Sequence, residues 1–214
     1  MKLMYLAKRT RPDILTACSY LSTHCVAPCI THWKQLVHIL EYLNGTQDLG
    51  MHFTRQDLIM SCYADASYTS HKVDSKSHSG IYFSLTANGP GISCFSLKQK
   101  TTAQSTAEAE LIALHEGAKA TVWMTSLFKQ MGARLSCPVV YQDNEAAIRL
   151  AAIGAPASTA TKHIRMKYFS VKEYADKGLL QVVYKRTEDM VGDIFTKPLI
   201  GAQFEKFRRQ LLNL

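Results

Sequence analysis

The sequence predicts an α/β fold: three antiparallel strands open a mixed sheet, alternating helices and strands complete it, and a short helical segment precedes it. Residues 57–100 contain three apolar runs broken by turn residues, in "DLIMSCYADAS", "SGIYFSLTANG" and "PGISCFSLKQK", the pattern of short sequential strands. Behind them, "STAEAELIALHEGAKATVWMTSLFKQMG" sets Ala107, Leu111, Leu114, Ala118 and Val122 on one stripe of a long core-packing helix. The remainder alternates, with "PVVYQD" and "LLQVVYKR" as strands and "NEAAIRLAA" and "RMKYFSVKEYADKG" as helices. Such an order demands helices packed on the faces of a mixed sheet.

Taken from the N-terminus, Pro12 suits a first helical turn. Leu15, Cys18 and Leu21, then Leu36, Ile39, Leu40 and Leu43, recur at helical spacing before Gly45 offers a stop, so two amphipathic helices are expected over residues 12–44. "DLGMHFT" reads as a strand, and Gln56–Asp57 as the join to the sheet. Ser105 can cap the long helix, which ends near Gly132. "ASTATKHI" is loop-like, and "TEDMVGDIFTK" is a helix opened by Thr187 and the acids behind it. Pro198 stops that helix, and "GAQFEKFRRQLLNL" is a terminal amphipathic one. The expected organisation is an N-terminal segment 1–56, a layered domain 57–200 with a core of its own, and a C-terminal helix 201–214.

A chain of 214 residues with 47% hydrophobic and 20% charged residues is globular and long enough to bury a core. No apolar run approaches the roughly 18 residues of a membrane span, and "MKLMYLAKRTRPD" turns basic too soon for a signal peptide. An intracellular protein without a membrane partner is expected. The six cysteines are scattered without a CxxC pair, which suits small buried hydrophobes in a reducing compartment. Cys25, Cys29 and His32 in "HCVAPCITH" fit no common zinc spacing. The net charge of +8, with a pI near 9.2, points to a polyanion such as nucleic acid.

Five acids then stand out. Asp65 interrupts the apolar first strand, where a buried carboxylate costs several kcal/mol unless a metal, a cation or hydrogen bonds compensate it. Glu108 and Glu110 lie in the first turns of the long helix, Asp143 ends the strand "VVYQD", and Asp193 sits in the late helix. Each has a plain structural role open to it as a cap or a dipole partner. Together, at strand ends and helix starts, they form a hard-oxygen set suited to Mg²⁺, and a pair of such ions about 3.5–4 Å apart serves phosphoryl displacement. Helical periodicity leaves open which of Glu108 and Glu110 joins the set.

In their order and spacing, "YADAS", "STAEAELIAL", "VVYQDNEAAI", "TKHI" and "VGDIFTKPL" resemble the ribonuclease H domain that ends Copia-type retrotransposon polyproteins. "LMYLAKRTRPDILTACSYLS" and "HWKQLVHILEYLNGTQDLG" resemble the thumb- or connection-like end of the reverse transcriptase that leads into it. The resemblance covers nearly the whole chain. It implies a ribonuclease H-like fold that hydrolyses the RNA strand of an RNA–DNA hybrid with two Mg²⁺ or Mn²⁺ ions and leaves a 5′-phosphate. It also implies a polymerase part of the same polyprotein as partner, and a virus-like particle in the cytoplasm, or the nucleus, as setting. Carried over motif by motif, Asp65 takes the first metal-bridging place, Glu110 the second through the "AEL" register, Asp143 the third and Asp193 the fourth. No "YVDD"-like motif occurs, so DNA synthesis is not expected of this polypeptide.

Two departures from the family pattern bear on activity. "DASYTS" stands where "DADWAG" is common, with Tyr68 for tryptophan, and Gly192 stands before Asp193 where "ADIFTK" is common. A glycine inside a helix costs roughly 1 kcal/mol against alanine, so Asp193 is expected to be held less firmly. The substrate surface is expected at Lys98, Gln99 and Lys100 and at Lys162, His163, Arg165 and Lys167, which can meet phosphates and 2′-hydroxyls. His163 receives no catalytic role. The alternative is a catalytically decayed, nucleic-acid-binding remnant of such a polyprotein, favoured by Gly192 and opposed by the filled acidic positions.

Overall fold

One sheet runs through the middle of the molecule in the order β3-β2-β1-β4-β5. A computed structural model describes residues 1–54, 58–71, 74–86, 89–154 and 162–214, the side chains of residues 162–166 and 168 excepted. In chain order its elements are α1 (Lys2–Arg9), α2 (Leu15–Ser22), α3 (Ile30–Asn44), β1 (Ser61–His71), β2 (Lys76–Ser84), β3 (Gly91–Lys98) and α4 (Thr106–Gln130). There follow β4 (Val139–Gln142), α5 (Glu145–Ile153), α6 (Lys162–Asp176), β5 (Gln181–Tyr184) and α7 (Gly201–Leu212). β1, β2 and β3 are antiparallel neighbours, whereas β4 and β5 join the other side of β1 in parallel. This is the expected mixed sheet, with three antiparallel strands followed by strands that alternate with helices.

Strand alternation divides the core into two layers. Cys62, Ala64, Ile81, Phe83 and Val140 point to the face covered by α4 and α6, where Leu111, Leu114, Ala118 and Val171 meet them. Tyr63, Tyr82 and Cys94 point to the opposite face. There they pack with Ile14, Leu15, Cys18 and Ile39 from the N-terminal segment and with Phe195, Phe207 and Leu211 from the C-terminal one. Hydrogen bonds stitch the same layer: Ser19 Oγ donates to Ser96 O at 2.7 Å, and Thr16 Oγ1 to Ile194 O at 2.5 Å. Residues 1–56 and 201–214, set apart from 57–200 in the sequence reading, thus share one core layer with the sheet.

Local chemistry explains most element boundaries. Ser105 Oγ accepts from Glu108 N at 3.2 Å and starts α4, and Asn144 Oδ1 accepts from Ala147 N at 2.9 Å and starts α5 directly behind β4. Pro12 opens a 3-10 turn, Pro12–Ile14, that leads into α2. Gly45 caps α3.

Four expectations need correction. α1, which had not been expected, buries Ala7 against the lower layer. "DLGMHFT" forms no strand; its backbone completes the end of α7 instead, His52 N donating to Leu212 O at 2.8 Å and Asn213 Nδ2 to His52 O at 2.7 Å. "TEDMVGDIFTK" forms two 3-10 segments, Thr187–Asp189 and Val191–Phe195, because Met190 between them takes extended backbone (ψ 88) and drops fully buried into the core. α6 begins at Lys162, so "KHI" is helical, while residues 155–161 and the Gln56–Asp57 join lie outside the described residues. No described helix is long and apolar enough to cross a membrane.

Candidate active site

The site forms where β1 outruns β4. The parallel register pairs Ser61 with Val139 and Tyr63 with Tyr141, and carried on it sets Asp65, midway along β1, level with Asp143 just past the carboxyl end of β4. Ligands of open α/β sheets gather at that edge. Glu110 reaches it from the second turn of α4, its Oε2 accepting from Ala66 N at 3.0 Å, so helix and strand are tied beside Asp65. One carboxylate oxygen from each of Asp65, Glu110 and Asp143 lies within 4.8 Å of the others.

Glu108 does not join them. Its Oε2 turns back to accept from Gln104 N at 2.8 Å while its own N–H is held by Ser105, so it serves the start of α4. Asp193 lies close, in the segment Val191–Phe195, but its Oδ1 accepts from Lys197 Nζ at 2.6 Å. Lys197 Nζ also stands 3.8 Å from Asp65 Oδ2, and the Thr196 hydroxyl donates to that same oxygen. Asp143 is steadied by Thr187, whose Oγ1 donates to its Oδ2 at 2.8 Å. Lys197 and Thr196 were missed in the sequence, although a lysine four residues after the acid in "DIFTK" is a helical ion-pair spacing.

The electrostatics are those of an underneutralised acid cluster. Burial pushes the Asp65 carboxyl well above the usual aspartate range, Asp193 adds to the shift, and Lys197 and Thr196 oppose it. Glu110 is raised in the same direction by burial and by the charges of Asp65 and Asp143. Burial works against the Lys197 ammonium, yet Asp65 and Asp193 outweigh it and hold that group above the ordinary lysine value. One lysine facing this many carboxylates leaves negative charge for a divalent cation, and an all-oxygen donor set at a strand edge fits Mg²⁺ or Mn²⁺.

The expected basic surface is only partly there. Lys100 is exposed, but Lys98 Nζ is paired with Asp74 Oδ2 at 2.8 Å. Gln99 lies inside the protein, its Nε2 donating to Ser79 Oγ at 2.9 Å and Ala109 O at 3.0 Å. It pins the sheet to α4 and does not present a polar surface. The side chains of Lys162, His163 and Arg165 lie outside the described residues. Lys167 is half-buried, and burial lowers its pKa.

No family model matches the chain. It is 35% identical over 211 residues to the retrovirus-related Pol polyprotein from transposon RE2 of Arabidopsis thaliana, covering 98% of this chain and 14% of that protein. A protein of Plasmopara viticola called secreted RxLR effector protein 161 is 40% identical over 124 residues, 58% of this chain and 86% of that one. Among solved structures, LC11-RNase H1 in complex with an RNA/DNA hybrid gives a TM-score of 0.42 at 11% identity, over 61% of this chain and 88% of that one. Over nearly its whole length the chain is similar to the retrovirus-related Pol polyproteins of transposons, and it spans about one seventh of their length, 14% in the Arabidopsis case.

Proposed function

We propose that this chain is the ribonuclease H part of a Copia-type retrotransposon polyprotein and hydrolyses the RNA strand of RNA–DNA hybrids. The observation that carries the proposal is the meeting of Asp65, Glu110 and Asp143, drawn from a central strand, a helix and a neighbouring strand end, within 4.8 Å. These three, with Asp193 beside them, would hold divalent cations. A pair of bound cations supplies activation of the attacking water and stabilisation of the departing 3′-oxygen.

The protein's own part is to hold the acids still. Ala66 N–H fixes Glu110, the Thr187 hydroxyl fixes Asp143, and the Thr196 hydroxyl fixes Asp65, so each carboxylate keeps an oxygen for a ligand while the other is anchored. Lys197 offsets part of their repulsion. The excess of cations over the whole chain, net +8, favours the approach of a polyanion to an otherwise acidic site.

A labelled RNA–DNA hybrid incubated with the protein in Mg²⁺ or Mn²⁺, and in chelator, tests the reading. Ion-dependent cleavage of the RNA strand alone is expected. Binding without cleavage under both ions would sink the enzyme and leave the nucleic-acid-binding remnant.

A further inference from the structure

Gln142 stands where an apolar side chain is due. It is the last residue of β4 and alternates with Val140 toward the layer beneath α4, where it is fully buried. Its Oε1 turns along its own chain and accepts from Asp143 N at 2.8 Å and Asn144 N at 3.1 Å. That clamp holds the turn on which Asp143 is carried. The other end of the amide has no standard hydrogen bond: Nε2 is buried and without a partner. Such an orphaned donor costs about 1–3 kcal/mol and is retained where it serves something other than stability.

On the reading of the acid cluster as a cation site, we infer that Gln142 is a positioning residue of that site. Its amide oxygen fixes the turn that carries Asp143, through the backbone N–H groups of Asp143 and Asn144. Partners of this kind, one shell outside a metal, typically change its affinity by about 10–100-fold.

The test is Gln142→Met, which keeps the length and removes both polar ends, with Gln142→Leu as a second variant. Mn²⁺ binding by titration calorimetry and melting in chelator are measured on the full chain. The expected result is a joint loss: Mn²⁺ affinity lower by about 10–100-fold, and metal-free melting lowered because the Asp143 and Asn144 N–H groups lose their acceptor. A purely structural glutamine predicts the same lowered melting with Mn²⁺ affinity kept, and that outcome overturns the inference. So does failure of both variants to fold. Mn²⁺ binding by the parent with equal binding by Gln142→Met removes this inference alone, whereas no binding by the parent removes the cation site and the inference with it.

Discussion

Gly192 lies directly against Asp65. A Cβ built on Gly192 would stand 3.0 Å from the Asp65 Cβ and 3.4 Å from the Asp65 backbone nitrogen. The contact has a counterpart on β2, where Gly80, paired with Asp65, would bring a Cβ to 2.6 Å from Gly192 O. Two glycines therefore let the segment Val191–Phe195 settle on the sheet, and with it come Asp193, Thr196 and Lys197. Read as a helix-interior residue, Gly192 was expected to loosen Asp193. It lies in a 3-10 turn instead, and its missing side chain is what permits the close approach.

This arrangement predicts a graded response to bulk at position 192. Gly192→Ala asks the contact to give by a few tenths of an ångström and is expected to be mild. Gly192→Val must push the segment off β1, which costs about 1–3 kcal/mol as overpacking and carries Thr196 away from Asp65. Urea unfolding beside the hybrid cleavage assay checks both. A valine variant with the stability and activity of the parent would show that the segment is not wedged.

A second prediction concerns Asp65 without metal. Its pKa is raised by burial first and by Asp193 second, so the folded chain holds that proton to higher pH than the unfolded chain does. The Asp65 contribution to stability in chelator should then be greatest below the ordinary aspartate value and fall as pH rises toward the elevated one. Asp65→Asn removes this penalty: it should melt higher than the parent in chelator at neutral pH, gain less from Mg²⁺, and lose cleavage by orders of magnitude. A variant that melts lower in chelator and responds equally to Mg²⁺ would make Asp65 a structural acid held by Thr196.

Much of this site could be read from the residues, and what could not had physical reasons. Asp65 lies inside one strand and Asp143 directly after its parallel neighbour, and the apolar runs of both strands are plain. The choice between Glu108 and Glu110 was invisible to periodicity, because both lie at the start of one helix, yet Ser105 followed by Glu108 is a capping-box spacing and so marks Glu108 for the cap. Gln99 was misread because polarity suggested surface, when its position next to β3 decided burial. The fate of "DLGMHFT" depended on α7, about 160 residues away, and no local pattern carries that.

His78 supplies a prediction of opposite pH sense. The ring is buried between His71, whose Nε2 is 3.0 Å from its Nδ1, and Ser96, whose Oγ is 2.8 Å from its Nε2. Burial, then the charges of His71 and Lys98, lowers its pKa to about 4. The unfolded chain takes up this proton near the ordinary value of about 6.5, which the folded chain refuses, so stability is kept above that value and lost as pH falls toward 4. The loss is on the order of 3 kcal/mol at one unit per 1.36 kcal/mol. Melting of the parent and His78→Gln from pH 7 to pH 4 isolates it. The variant should be flatter by that amount, and parallel curves would remove His78 as the cause.

The last prediction concerns the boundary at residue 56. If residues 57–214 had a complete core of their own, their deletion partner could be cut away without loss. The structure buries Tyr63, Tyr82 and Phe195 beneath Ile14, Leu15, Cys18 and Ile39, and the Ser19 and Thr16 hydroxyls close on backbone carbonyls of β3 and the Val191–Phe195 segment. The Arg11 guanidinium, buried with Asp13 at 2.7 Å, anchors those helices to Tyr42, whose hydroxyl donates to Asp13 at 2.6 Å. Removing residues 1–56 strips Ile14, Leu15, Cys18 and Ile39 from the cover of one sheet face and leaves Phe195, Phe207 and Leu211 to cover it alone, exposing apolar area of the kind that single domains do not leave exposed. It also frees the segment that carries Asp193 and Lys197. The truncated chain is therefore expected to lose cooperative melting and hybrid cleavage together. A sharp melt with retained cleavage in residues 57–214 would show that the sheet and α4 suffice, and that the N-terminal helices are an addition to a domain already complete.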